Sequence, residues 1–356
     1  MNLLPVLALV ASSARAAAPA PPAAVAPIRS TATAASPMAA ASVSVLSERF
    51  LETSKDSEKT AVLKLIAKTA PVSGQDVSNL FDLFSRYSDP FTRASIMESL
   101  GRLGTGNPQL EPLFMTYLRQ PEPDAQLFGI NGAFRLRARA ALPLIKAIAE
   151  RKFTAREVTE TNMSERNAWW AQYEALSVLA QWEGDKVYPL IASKGLESAK
   201  VGNLLGRFYW KQTLPQLKAW SSSGDLIASE RAALAVAAPI DLAEARATRN
   251  QMIELLRDPK ADAEIRHQIA LKVGLSSNDE EAAALVKEHD AAPSDNDRLY
   301  WATAAFITRS VKVVPLLARY AVQTKDETMQ KGATAQLKDM LGDAEAQALI
   351  DLEKKK

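Results

Sequence analysis

Aromatic residues that could bind a ligand are concentrated in one part of this chain. Five of the six tryptophans fall between Trp169 and Trp220. Aromatic rings supply large, rigid contact areas and are enriched at binding hot spots, so such a group is typical of a surface that holds a peptide or a sugar ring. The same spacing also suits a core, because Trp169 and Tyr173 are four residues apart and would share one helix face. Both interpretations stay open at this stage.

The candidate binding residues are the members of this aromatic group and one nearby cation. Trp170 and Trp210 are expected to be exposed, because the residues beside them already supply an apolar helix face. The complete set of candidates is Trp169, Trp170, Tyr173, Arg207, Tyr209, Trp210 and Trp220.

Three alternating arginines form a second group, at Arg135, Arg137 and Arg139. Guanidinium groups bind phosphate and carboxylate in a planar, two-pronged geometry, so the group could hold an anion. Arginines near a helix end also complement the partial negative charge on its last carbonyl groups, and this interpretation needs fewer assumptions.

The chain offers few residues for catalysis. It contains no cysteine, which excludes disulfides, thiolate metal ligands and cysteine nucleophiles. Only His267 and His289 supply imidazole groups, and they do not form a two-histidine metal motif. We therefore predict a protein that is not an enzyme and has no metal or cofactor. The alternative is an enzyme whose pocket brings carboxylates together.

Composition favours helix over strand. Hydrophobic residues make up 47% of the chain and only 14 of its 356 residues are glycine. Alanine, leucine, glutamate, lysine and arginine lose least on entering a helix, so an all-α protein is predicted. The 43 basic residues nearly balance the 41 acidic ones, and the net charge is +2. Nucleic-acid binding needs a clustered positive excess, so we expect no nucleic-acid partner.

A weak pattern returns about every 33 residues, with a polar turn, an amphipathic stretch and a second amphipathic stretch. Units of this length bury their apolar faces only against their neighbours, which predicts an α-solenoid of about nine stacked helix pairs. Their expected starting points lie near Glu58, Pro90, Asp124, Ser164, Glu197, Ala228, Asp262, Asp295 and Asp326.

The second unit carries the clearest signature. Asp89-Pro90, Arg93-Ala94 and Leu100-Gly101 mark its first helix. Pro-Leu or Pro-x-Leu pairs open the second helices of several units, at Pro112, Pro143, Pro189, Pro215 and Pro315. This pattern resembles the HEAT-repeat family over nearly all of Glu48 to Leu352. The resemblance implies a right-handed, armadillo-like solenoid that holds a partner on an extended surface. In this plan Leu144 is expected to be buried between paired helices.

The amino terminus has the composition of an export signal. Leu3 to Ala11 is apolar and is followed by Ala14-Arg15-Ala16, which predicts a signal peptide over residues 1–16. An uncleaved alanine-rich leader is the alternative. Residues 17–47 are rich in Ala, Pro, Ser and Thr and predict a disordered linker. Residues 48–352 would form the solenoid and residues 353–356 a basic tail.

These features together predict an exported protein, periplasmic or extracellular, with no membrane-spanning segment in the mature chain. We expect a non-catalytic scaffold of the cell envelope whose partner is a protein or peptide. The alternative is an accessory module that binds a glycan or peptidoglycan through the Trp169–Trp220 aromatic cluster.

Overall fold

A computed structural model describes residues 41–153 and 163–356. All regular secondary structure in these residues is helical, which confirms the predicted all-α class. The expected signal peptide, the expected linker up to residue 40, and residues 154–162 of the expected solenoid lie outside the described residues.

The helices follow one another with short connections. Eight of the nine expected starting points lie within two residues of the start of an α-helix, and Glu197 is the exception. The bounds in chain order are α1 Val43–Glu52, α2 Asp56–Lys68, α3 Gly74–Arg86, α4 Pro90–Gly101, α5 Glu111–Arg119, α6 Pro123–Leu136, α7 Leu142–Ala149, α8 Met163–Glu183, α9 Tyr188–Lys194, α10 Gly202–Phe208, α11 Trp210–Thr213, α12 Leu217–Ser221, α13 Leu226–Ala237, α14 Leu242–Ala247, α15 Arg249–Arg257, α16 Ala263–Leu275, α17 Asp279–Ala291, α18 Asp295–Ile307, α19 Val314–Gln323, α20 Glu327–Leu341 and α21 Asp343–Glu353. None of these described helices is long and apolar enough to cross a membrane.

The described residues divide into two compact units. The N-terminal unit consists of residues 41–209 together with Gly224–Ala238, and the C-terminal unit consists of Trp210–Ser223 together with residues 239–356. Each unit is described by itself below.

Local sequence explains where the helices of the N-terminal unit begin. Asp89 caps α4 by accepting the N–H of Thr92 at 2.8 Å, and Pro90 occupies the first turn, where no N–H is needed. Asp76 completes a capping box at α3 and also accepts the N–H of Ser44 at 2.8 Å, which ties α1 to α3. The folded region therefore includes α1, which begins at Val43, before the start expected at Glu48.

Helices two positions apart in the chain pack together in the N-terminal unit. Contacts join α2 to α4, α4 to α6 and α6 to α8, while α5 and α7 pack beside α6 and α8. Phe128 on α6 is completely buried at the centre of an aromatic core, in which its ring lies 5.3–5.9 Å from four others, those of Phe81, Phe84, Phe114 and Tyr117.

Polar bridges reinforce this packing. Arg93 on α4 lies with its guanidinium carbon 4.3 Å from the centroid of the Phe84 ring and donates to Asp124 on α6 at 3.2 Å. It also donates to Asn167 on α8 at 3.4 Å. One side chain therefore joins helices that are far apart in sequence.

The second helix of the third predicted unit is rotated relative to expectation. Leu144 is only half-buried, whereas the next residue, Ile145, is completely buried. A 3-10 turn, Arg139–Ala141, precedes α7 and turns more sharply per residue than an α-helix does. The expected burial of Leu144 is therefore wrong by one residue.

The C-terminal unit uses the same packing. Contacts join α16 to α18 and α17 to α18, and α20 packs against α19 and α21. Arg266 on α16 donates to Asp297 on α18 at 2.5 Å and to the carbonyl oxygen of Leu256 at 2.8 Å, and both charged groups are buried. The hydrogen bond from Ser294 and the pairing with Arg266 lower the pKa of Asp297 below its ordinary value.

The end of the chain is helical for longer than expected. Helix α21 continues to Glu353, whose buried carboxylate accepts the side-chain amide of Gln323 at 2.9 Å. Glu353 therefore belongs to the folded unit, and not to the expected tail over residues 353–356.

Candidate interaction surface

The aromatic residues of α8 divide between core and surface. Trp169 is 2% exposed and its indole N–H donates to Ser198 at 3.3 Å. Its ring stacks on that of Tyr173 with centroids 5.1 Å apart. Trp170 is 39% exposed, which confirms the expected exposure. Its ring stands at nearly right angles to those of Trp169 and Tyr173, so part of the indole faces outward.

Two other candidates are core residues. Trp210 is completely buried, and its indole N–H donates to the Thr248 hydroxyl at 2.8 Å. The expected exposure of Trp210 is therefore wrong, because packing within the C-terminal unit covers it. Tyr209 is 1% exposed and donates to the carbonyl oxygen of Gly184 at 2.9 Å. Trp220, in the C-terminal unit, is half-buried.

A polar group borders Trp170 on the N-terminal unit. Tyr173 is half-buried, and burial together with the Glu174 charge raises the pKa of Tyr173 to about 12. Its hydroxyl therefore keeps its proton at neutral pH. Burial raises the pKa of Glu174, and the charges of Arg135 and Arg207 oppose that shift. Arg207 on α10 is exposed and lies close enough to act electrostatically on both neighbours.

We call Trp170, Tyr173, Glu174 and Arg207 the α8–α10 surface. It combines an outward-facing indole, a phenol that can donate a hydrogen bond, and an exposed guanidinium group. Exposed tryptophan, tyrosine and arginine are the residue types that dominate protein-binding hot spots. The surface can hold an apolar side chain against the indole and a carboxylate beside the arginine.

Two glycines that the sequence analysis missed hold α10 in place. A Cβ atom added at Gly206 would lie 2.7 Å from the carbonyl carbon of Ala235 on α13, and one added at Gly202 would lie 3.0 Å from the Cα atom of Arg231. Side chains larger than hydrogen would force the helices apart. The four-residue spacing of Gly202 and Gly206 is the sequence signal for this close contact, which fixes the position of the neighbouring Arg207.

A cleft of about 770 Å³ lies in the C-terminal unit. Within it, the Asp290 carboxylate accepts from Arg319 at 2.9 Å and lies 3.0 Å from Nδ1 of His289. Nε2 of His289 lies 3.0 Å from the hydroxyl of Tyr320. Burial lowers the pKa of His289, and the ring has a partner at each nitrogen. The Asp290 carboxylate can only accept, so Nδ1 donates and Nε2 accepts from Tyr320.

The other carboxylates of this cleft are also engaged. Asp295 pairs with Arg298 at 3.1 Å, and Asp326 accepts the N–H of Thr328 at 2.8 Å as the cap of α20. Among the described residues, no group of three or more histidine, aspartate or glutamate side chains is placed to hold a metal ion. The histidine and the three carboxylates that line the cleft thus each have a partner within the unit.

Comparison with protein families and with curated proteins identifies no relative of this chain. No protein-family model matches the chain, and no curated protein is significantly similar to it.

Proposed function

We propose that this protein is a non-catalytic interaction scaffold that binds a protein or peptide partner. The observation that carries the proposal is the α8–α10 surface, where the ring of the exposed Trp170 lies 5.7 Å from that of Tyr173, and the charge of the exposed Arg207 acts on Tyr173. The partner segment would present an apolar or aromatic side chain to the indole and a carboxylate to the guanidinium group.

The packing of the described helices supports a repeat scaffold. A polar bridge joins residues 31 positions apart in each unit, Arg93 to Asp124 in the N-terminal unit and Arg266 to Asp297 in the C-terminal unit. Stacked units of similar length produce separations close to the repeat length. We extend this to a right-handed HEAT-like solenoid of about nine helix pairs. The leader sequence supports export to the periplasm or the extracellular space, which would make this a cell-envelope protein.

The engaged groups of the C-terminal cleft favour a non-catalytic role. A general base needs a free acceptor position within reach of its substrate. Both nitrogens of His289 are occupied, and its partner Asp290 is already paired with Arg319. Asp290, Asp295 and Asp326 line this cleft, and each carboxylate already accepts a hydrogen bond from another residue of the unit.

Glycan binding is the second candidate, and the exposed indole of Trp170 favours it. A sugar ring would stack on that indole, because Trp169 and Trp210 are buried and Tyr173 is stacked on Trp169. Titration with chitooligosaccharides while tryptophan emission is recorded tests this candidate. A shift that disappears in Trp170→Ala supports it, and an unchanged emission spectrum at millimolar ligand rejects it.

Affinity capture with matched variants tests the scaffold. The immobilised protein is exposed to envelope extracts as the wild type, as Trp170→Ala and as Arg207→Glu. Leu196→Ala is the control, because Leu196 is an equally apolar residue of the same unit and is 66% exposed. We expect one partner to be retained by the wild type and the control and lost from both surface variants. Retention of no protein above background, or equal retention by all four, would contradict the proposal.

A further inference from the structure

A second cleft, of about 440 Å³, lies at the C-terminal end of α6 in the N-terminal unit. Its volume falls in the range of about 300–1,000 Å³ that is usual for small-molecule sites. Arg135, Arg137 and Arg139 all line it, with Gln181 and the aromatic residues Phe134 and Trp182. Among the residues that the structure describes, no acidic side chain lines this cleft.

Two of the three guanidinium groups are held against aromatic rings. The guanidinium carbon of Arg139 lies 4.9 Å from the centroid of the Trp182 ring, and the group donates to the carbonyl oxygen of Trp182 at 3.1 Å. That of Arg135 lies 5.6 Å from the centroid of Phe134. Contacts of this kind orient a long side chain before a ligand arrives, which reduces the entropy lost on binding.

Arg137 occupies a backbone conformation that suits glycine better. Its φ is 57° and its ψ is 34°, at the position that ends α6. An arginine there is less stable than glycine would be, because its Cβ atom crowds the backbone. Arg309 has a similar φ of 53°, but it pairs with Asp339. Arg137 forms no ion pair with a carboxylate in the described part of the chain, so neither backbone geometry nor pairing accounts for an arginine at this position.

The charge around the cleft is not balanced by neighbouring carboxylates. Glu183 lies 3.9 Å from Arg139. Glu174 interacts electrostatically with Arg135 but does not line the cleft. Arginine remains protonated at any physiological pH, so the cleft keeps a positive excess.

We propose that this three-arginine cleft binds a small oxyanion that carries at least two negative charges on phosphate or carboxylate groups. The planar guanidinium groups would each hold oxygen atoms through paired N–H donors, and the amide of Gln181 would add a further donor. The site is separate from the α8–α10 surface and adds a ligand to the proposed scaffold.

Calorimetric titration of the full chain at low ionic strength tests this site, with pyrophosphate and citrate as probes. We expect saturable binding of at least one probe, with an affinity that falls by about tenfold or more in Arg135→Gln and in Arg137→Gly. Glycine relieves the left-handed backbone, so Arg137→Gly should melt at the same temperature as the wild type or higher. Loss of binding in that variant therefore cannot result from unfolding.

Arg309→Gly is the matched control, because it makes the same change at the same backbone conformation in the other unit. Its affinity for the probe should equal that of the wild type. The proposal is overturned if neither probe binds with a dissociation constant below about 10 mM. It is also overturned if Arg135→Gln and Arg137→Gly bind as tightly as the wild type, or if Arg309→Gly weakens binding equally, since the attraction would then be non-specific.

Discussion

Replacing Gly206 with alanine should separate two helices that touch through their backbones. The new Cβ atom would lie 2.7 Å from the carbonyl carbon and 2.9 Å from the Cα atom of Ala235, and the carbonyl oxygen is nearer still. Carbon atoms in contact normally lie about 3.5–4.0 Å apart. Helices α10 and α13 must therefore separate locally by roughly 0.8 Å or more, and no side-chain rotation can relieve the contact.

The size of the effect follows from two opposing terms. Overpacking of this kind destabilises a protein by about 1–3 kcal/mol. Alanine in place of a helical glycine stabilises the folded state by about 0.5–1 kcal/mol. We expect a net loss of about 1–2 kcal/mol, because the obstructing atoms are backbone. A matched control is Gly74→Ala at the start of α3, where an added Cβ atom meets nothing within 4 Å. That variant should be as stable as the wild type or more stable.

Urea denaturation gives the two free energies of unfolding, and hydrogen exchange of the α10 amides shows whether the loss is local. Gly206→Ala should unfold at lower urea than Gly74→Ala and exchange faster in α10. It should also bind the captured partner more weakly, because Arg207 follows Gly206 directly. If Gly206→Ala is as stable as Gly74→Ala, the close approach of α10 to α13 is not as described.

Four further substitutions test the packing. Burial lowers the pKa of Lys272 to about 8. Between pH 8 and about 10.5 the unfolded chain therefore holds a proton at this residue that the folded chain has lost. The free energy of unfolding of the wild type should rise with pH over this interval. Lys272→Met lacks the titrating amine, so its free energy of unfolding should rise less with pH than that of the wild type over that interval in parallel urea melts. Asp297→Asn should lower the free energy of unfolding, measured by chemical denaturation, by about 3–5 kcal/mol because it leaves Arg266 buried without a counter-charge. A decrease of less than about 1 kcal/mol would mean that the ion pair is effectively exposed. Ile145→Ala should lower the free energy of unfolding by about 2–5 kcal/mol, and Leu144→Ala should lower it clearly less. A larger decrease for Leu144→Ala would show that Leu144 is the buried residue, as the sequence predicts.

The helical class and many helix starts could be predicted because their causes are local. Asp89 and Pro90 form a cap and a first turn from adjacent residues, and composition favours helix throughout. The direction that a side chain faces depends on distant residues. Trp210 is buried partly by Thr248, which no pattern near position 210 indicates. Leu144 was misplaced because one 3-10 turn rotates the helix that follows it.

The candidate surface was predictable only in part. The concentration of tryptophan indicated the right segment of α8, and Trp170 is exposed as expected. Its partners could not be derived, because Arg207 approaches Tyr173 only through the packing of α10 at Gly202 and Gly206. The arginines of the second cleft were visible in the sequence, but the contact between Arg139 and Trp182 requires the folded unit.

Site-specific photo-crosslinking from position 170 tests whether the α8–α10 surface contacts a protein partner. A photoreactive phenylalanine derivative, which keeps an aromatic side chain at position 170 where Trp170→Ala removes it, replaces Trp170 in the chain in producing cells, and the same residue replaces Leu196 as the control. The scaffold account predicts a discrete covalent adduct with one partner protein from position 170 and none from position 196. No adduct from position 170, or the same adducts from both positions, would contradict the assignment of the α8–α10 surface as the binding site.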